Sequence, residues 1–265
     1  MARDAPGPRG GGPGLTSRPD RLAWLGHSTA VIDLDGVRLV TDPVLAGRLA
    51  HLRRVAGPAT PPGDVDAVLV SHLHLDHLHL PSLRRLAAVR VVAPRGAGRY
   101  LRRAAAEVSE LEEGDEIAVG AVRIGAVHAD HDGRRTPGRR AAPALGYVVR
   151  GTRSVYFAGD TGLFPAMADL AEGPLDVALL PVWGWGPALG PGHLNPETAA
   201  QALALLRPRQ AVPIHWGTYA PAWTRRAPPA AFLTDPPREF ARHADRYAPG
   251  VEVVLLPPGG SMPLV

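Results

Sequence analysis

The sequence predicts a mixed α/β (α+β) fold, and three observations predict it. The first is a strand-rich opening. Arg21 to Leu34 carries apolar, β-prone runs on both sides of Gly26-His27-Ser28-Thr29, and Asp35-Gly36 is a two-residue hairpin turn into Val37-Arg38-Leu39-Val40. The second is the alternation of short buried-strand runs with helical patterns from Val65 onward. The third is length: 265 residues suit one large domain, or a tightly fused pair of similar halves, with ample capacity for a core.

Each element has a local reason. Met1 to Pro19 is rich in glycine, proline and arginine and lacks the apolar core of a secretory signal, so residues 1–19 read as a disordered tail before a single domain over 20–265. Val65 to Val70 is a short buried strand. Helical patterns follow at Pro81 to Ala88 and Gly96 to Val108, separated by the strand Arg90 to Pro94. Asp115 to Ile124 reads as a hairpin, and Leu145 to Arg150 with Ser154 to Ala158 as another across Gly151-Thr152. Leu175 to Val182 is a buried strand. Asn195 is a good N-cap with Pro196 at the first helical position, opening a helix over Glu197 to Leu206. Gln210 to Ile214 is the next strand, Arg238 to Tyr247 a final helix and Val251 to Leu256 a closing strand.

Composition excludes several classes. No apolar stretch approaches the roughly 18 residues that span a bilayer, and the default compartment is the cytoplasm. The chain has no cysteine, so neither a disulfide nor a thiolate ligand is available. It also has no lysine: the formal excess of +4 is carried by scattered arginines rather than a basic stripe, and a nucleic-acid partner is not indicated. No feature assigns an oligomeric state.

Chemistry concentrates in Ser71-His72-Leu73-His74-Leu75-Asp76-His77-Leu78-His79, directly after the strand at Val65 to Val70. Four of the eleven histidines fall in these nine residues. The chain leaves the strand near-extended, where positions two apart point the same way, so His72 and His74 can grip one cation. Asp76 and His77 face a second position nearby. Imidazole nitrogen and carboxylate oxygen are ligands that zinc and similar divalent metals take.

The pattern His72-x-His74-x-Asp76-His77 resembles the signature of the metallo-β-lactamase superfamily of binuclear metal hydrolases. Trp24-Leu25-Gly26-His27-Ser28 and Thr41-Asp42-Pro43 are similar to the opening of its N-acylphosphatidylethanolamine phospholipase D-like and ascorbate-6-phosphate lactonase-like branch. The resemblance implies a four-layer αββα sandwich of two similar halves, with metals at one edge between the sheets. It implies that His72, His74 and a third histidine hold one metal, and that Asp76, His77 and His215 of His215-Trp216-Gly217-Thr218 hold the other. Asp160 of Gly159-Asp160-Thr161 would bridge both. Two histidines compete for the third place, His128 and His131, and the family wording favours His131. His27 and Asp42 would lie beneath the metals, although His27 also reads as an ordinary turn histidine. His193, in His193-Leu194-Asn195-Pro196-Glu197, matches a non-ligand active-site histidine, the alternative being a loop histidine at a helix start.

What the resemblance implies chemically is hydrolysis of a small-molecule ester, lactone or phosphodiester by a hydroxide activated between two divalent ions. Asp76 and His193 would be the catalytic residues beside the metals. The oxygen and nitrogen ligands fit zinc best, with manganese or iron as alternatives. The competing readings are a single-iron oxidative enzyme of the same fold and a non-catalytic metal-binding protein. Arg134 to Pro143 reads as a flap whose arginines meet an anionic substrate or water, and Trp183 and Trp185 as a pocket wall or a core edge.

Overall fold

The computed structural model describes residues 18–86, 90–135, 143–170, 173–184, 190–223 and 230–265. All but the last two residues of the tail expected over 1–19 lie outside these, as do Trp185 and positions 136–142 of the expected flap.

Among the described residues, the strands form two seven-stranded sheets and a three-stranded one. The first large sheet runs, in spatial order, Ser261–Pro263, Arg21–Gly26, Thr29–Leu34, Val37–Thr41, Ala67–Leu69, Arg90–Pro94 and Glu107–Leu111. The second runs Glu252–Val253, Gln210–Ile214, Val177–Pro181, Ser154–Phe157, Leu145–Arg150, Val122–His128 and Glu116–Val119. Each begins in sequence as antiparallel hairpins and continues as parallel strands. The same order twice makes two similar halves.

Side-chain alternation explains the layering. In a strand, successive residues face opposite sides, and a strand covered on both faces reads as a continuous apolar run. Leu22, Trp24, Ile32, Leu39 and Leu69 of the first sheet meet Tyr147, Val149, Phe157, Leu179 and Ile214 of the second in one central core. Their sequence neighbours point outward. Val31, Val40, Val68 and Val91 pack with Leu83 and Leu101 of two short helices, α1 (Leu80–Arg85) and α2 (Gly98–Leu101). Tyr156, Ala178, Leu180 and Ala211 pack with Leu203 and Phe240 of α3 (Pro196–Leu206) and α4 (Ala230–Tyr247). The order is helix, sheet, sheet, helix: the αββα sandwich. Each large side chain so buried stabilises by about 1.5–3 kcal/mol.

Several boundaries differ from the sequence reading. The helix expected over 96–108 is only α2, and Glu107–Leu111 instead extends the first sheet, pairing in register with Arg90–Pro94. The open ladder of that strand outweighs the helical preference of Ala104, Ala105 and Ala106. Helix α4 starts at Ala230 rather than Arg238 and carries Pro236 and Pro237 in its interior, residues that would ordinarily mark a helix start. The closing strand shrinks to Glu252–Val253, and Ser261–Pro263 crosses back to pair with Arg21–Ala23. The small sheet of Arg48–Leu49, Leu52–Arg54 and Tyr219–Pro221 had no sequence signal. Asn195 caps α3 as read, accepting from the Glu197 and Thr198 amides.

Candidate metal centre

Strands that run the same way deliver their C-terminal ends to one edge of the sandwich. Asp42 follows Val37–Thr41, and His72 follows Ala67–Leu69. His131 follows Val122–His128, Asp160 follows Ser154–Phe157, and His215 follows Gln210–Ile214. Outside the carboxyl ends of parallel strands is where open α/β sheets form their crevices. Three non-glycine residues here, His27, Asp42 and His215, have positive φ, the sparsely populated conformation that clusters at functional sites. Gly159 lets two ligand loops meet: a Cβ there would lie 2.5 Å from Ser71 Cβ. Asp130 N donates to Thr161 Oγ1 and Gly162 N to Asp130 O, joining the loops of His131 and Asp160.

The loops bring nine side chains together. His74 Nδ1 lies 3.0 Å from His72 Nε2 and 3.2 Å from His131 Nε2. Asp76 Oδ2 lies 3.0 Å from His27 Nε2, 3.3 Å from His77 Nε2 and 3.8 Å from His215 Nε2. Asp160 reaches across: Oδ2 is 3.2 Å from His77 Nε2 and 3.6 Å from His193 Nε2, and Oδ1 is 3.4 Å from His215 Nε2. His72, His77, Asp160 and His215 are buried, while His74, His131 and His193 are partly open.

Hydrogen bonds behind the cluster set the imidazole tautomers. An ionised carboxylate and a carbonyl only accept, so a ring nitrogen facing one must donate. His77 Nδ1 donates to Asp42 Oδ2 at 2.7 Å. Ser71 Oγ donates to the same oxygen at 2.5 Å and so accepts from His72 Nδ1 at 2.9 Å. His131 Nδ1 donates to Gly192 O and His215 Nδ1 to Trp183 O. Each of these four rings therefore turns the lone pair of Nε2 inward. Such partners behind a ligand fix its orientation and raise its basicity.

This arrangement fits divalent cations. The nitrogens of His72, His74 and His131 cannot all be satisfied by shared protons. Their spacing is close to the separation of about 3.3 Å between ligand atoms of a tetrahedron with zinc–nitrogen bonds. His77 Nε2 and Asp160 Oδ1 are buried with no hydrogen-bond partner among the described residues. Burial holds His72 well below the ordinary imidazole range, reinforced by His77, and holds His131 at about 4 and His27 at about 3. Burial pushes Asp76 and Asp160 upward, but the surrounding imidazoles, His77 for Asp76 and His215 for Asp160, outweigh it and keep both carboxylates well below their usual range. Burial lowers His77 and His215, and the same carboxylates overcome that and raise both. The cluster demands positive charge among its carboxylates, which is what a bound divalent ion supplies.

The remaining expected residues take distinct places. His128 points away, pairing through Nδ1 with Glu113 at 2.9 Å on the exposed surface. His27 is buried against Asp76, held by Thr218 Oγ1 on its amide and by Trp24 Nε1 on its carbonyl. Asp42 lies fully buried under Ser71 and His77. Of the two readings of Trp183, a pocket wall or a core edge, the ring takes the second, packing against the core of the second half, and its carbonyl orients His215. The sequence reading missed Ser71 as a bridge and Gly192 as an acceptor, because backbone and hydroxyl contacts carry no residue-type signal. Arg134 pairs with Asp132, and Arg135 donates to the carbonyls of Leu73 and Leu78 at either end of the His74–Asp76 turn.

The model of the β-lactamase superfamily domain matches residues 37–216, and the chain belongs to the metallo-β-lactamase superfamily. It is 34% identical over 251 residues to a metal-dependent hydrolase of Methanopyrus kandleri, covering 91% of this chain and 98% of that protein. It is 33% identical to N-acyl-phosphatidylethanolamine-hydrolyzing phospholipase D 1 of Caenorhabditis elegans, over 74% of this chain but only 63% of that longer protein. In three dimensions it resembles a metallo hydrolase of Ignicoccus hospitalis, with TM-score 0.67 and 24% identity over 91% of this chain and 97% of that one. The chain is a metal-dependent hydrolase of the metallo-β-lactamase fold. No helix among the described residues is long and apolar enough to cross a membrane.

Proposed function

We propose that the centre holds two divalent metal ions, zinc in the first instance, and hydrolyses a small phosphodiester, lactone or related ester. His72, His74 and His131 take one ion, Asp76, His77 and His215 the other, and Asp160 bridges them. The observation that carries this reading is the inward convergence of imidazole lone pairs in two groups, with one buried carboxylate in reach of both. Ions bound there would bring the pKa of a coordinated water near neutrality and polarise the scissile bond.

The chain's own groups divide the remaining work. Asp42, Ser71, Gly192 and the Trp183 carbonyl keep the ligand rings in the tautomer that binds metal. His27 hydrogen-bonds Asp76 from the buried side and holds its carboxylate in place. His193 is 22% exposed at the mouth, 3.6 Å from Asp160, where it can donate a proton to a leaving group. The Caenorhabditis relative, named for hydrolysing a phospholipid, supports testing phosphodiesters first.

The test is a panel of bis(4-nitrophenyl) phosphate and simple lactones with zinc- and manganese-loaded protein, repeated on His193→Ala. Turnover of one class that falls in His193→Ala while both ions are retained fits the proposal. No turnover of either class with either metal, or loss of an ion from His193→Ala, contradicts it.

A further inference from the structure

The turn that carries His74, Asp76 and His77 closes on one carbonyl: the amides of His77 and Leu78 both donate to His74 O, at 3.1 and 2.8 Å. The residues at its two ends, Leu73 and Leu78, are 1% and 0% exposed and lie in no helix or strand. Among the described residues, no backbone amide donates to the carbonyl of either. A buried carbonyl without a donor is costly. One atom meets both: Arg135 Nη1 lies 3.0 Å from Leu73 O and 3.1 Å from Leu78 O. A guanidinium nitrogen of this kind carries two hydrogens, one for each carbonyl.

Arg135 arrives from the loop of His131. That loop is tied to the same turn a second time, by Leu73 N donating to Gly133 O at 3.3 Å. The Tyr100 ring backs the guanidinium, with its centroid 5.5 Å away. Arg134, one residue earlier, is exposed and engaged by Asp132. We infer that Arg135 is a positioning residue for both metal ions. Its permanent charge makes each carbonyl bond stronger than a neutral one. Through those bonds it fixes the turn that presents His74 to one ion and Asp76 with His77 to the other, and it locks that turn to the loop of His131. The inference rests on the two-ion reading above for the division of ligands between the ions.

Titration of the metal-free chain with cobalt(II), under chelator competition and with visible spectra recorded, tests this on the parent, Arg135→Met and Arg134→Met. Methionine keeps an apolar stem against Tyr100 and removes both donors. The parent should take up two cobalt ions. Arg135→Met should bind both about 10- to 100-fold more weakly, as loss of a group behind metal ligands does, and its ligand-field bands should shift because the ligands sit differently. Arg134→Met should match the parent in affinity and spectrum. A merely structural role would lower the melting temperature of metal-free Arg135→Met and leave the cobalt bands where they are in the parent. That result, parent affinity for both ions in Arg135→Met, or equal weakening in Arg134→Met would overturn the role of Arg135 while the two-ion reading stands. A parent that takes up fewer than two ions would overturn that reading and this inference with it. Arg135→Gln, which keeps a neutral donor, decides the matter if Arg135→Met fails to fold: weaker binding with shifted bands is expected, and parent affinity would refute the role.

Discussion

Replacing Asp42 by asparagine should cost both stability and metal affinity, out of proportion to a change of one atom. Asp42 is fully buried and accepts three hydrogen bonds: Ser71 N at 2.7 Å on Oδ1, and Ser71 Oγ at 2.5 Å and His77 Nδ1 at 2.7 Å on Oδ2. An asparagine that keeps its oxygen toward Ser71 N turns an NH2 group toward two donors. One escape is for His77 to move its proton to Nε2, which then points a hydrogen where a ligand lone pair is needed. The other is for Ser71 Oγ to stop donating, which frees the tautomer of His72. Because Asp42 governs one ring in each group of ligands, both ions should weaken, each by roughly 10- to 100-fold. Loss of buried charge-assisted bonds should cost the metal-free chain about 3 kcal/mol, a fall of roughly 6–12 °C in melting temperature for a domain of this size. Chelator competition and thermal unfolding of the metal-free protein measure the two effects. Affinities within twofold of the parent for both ions would refute the argument that Asp42 sets the tautomers.

Two further contrasts follow from the same contacts. His131→Ala should strip far more metal than His128→Ala, read by metal analysis after dialysis, because only His131 turns a nitrogen toward His74; the reverse result would move the ligand to His128. Tyr147→Phe should cost about 1 kcal/mol in denaturant unfolding, since its buried hydroxyl donates to Val70 O at 2.8 Å, while Tyr156→Phe should be neutral or stabilising, since its buried hydroxyl has no hydrogen-bond partner among the described residues.

Much of the sandwich is legible in the sequence because its strands are covered on both faces. Val177–Pro181 and Gln210–Ile214 show as apolar runs for that reason, and the Asp35-Gly36 turn and the Asn195-Pro196 cap mark their own places. Edge elements are less legible. Glu107–Leu111 and Ser261–Pro263 are strands only because a neighbour's ladder is open to them, and nothing local records that. At the site, ligand-type side chains at strand ends stand out, and the residues named from the motifs lie within one cluster. The choice between His128 and His131 is not visible locally, since it depends on which residue ends the strand facing out and which turns back over Gly192.

The most direct test of the two-ion centre is metal content per chain by inductively coupled plasma mass spectrometry, on freshly purified protein and on Asp160→Ala. The account predicts two divalent ions per parent chain, zinc first, and loss of at least one from the variant, whose bridging carboxylate is gone. One ion per parent chain, none after reconstitution, or two retained by Asp160→Ala would contradict it.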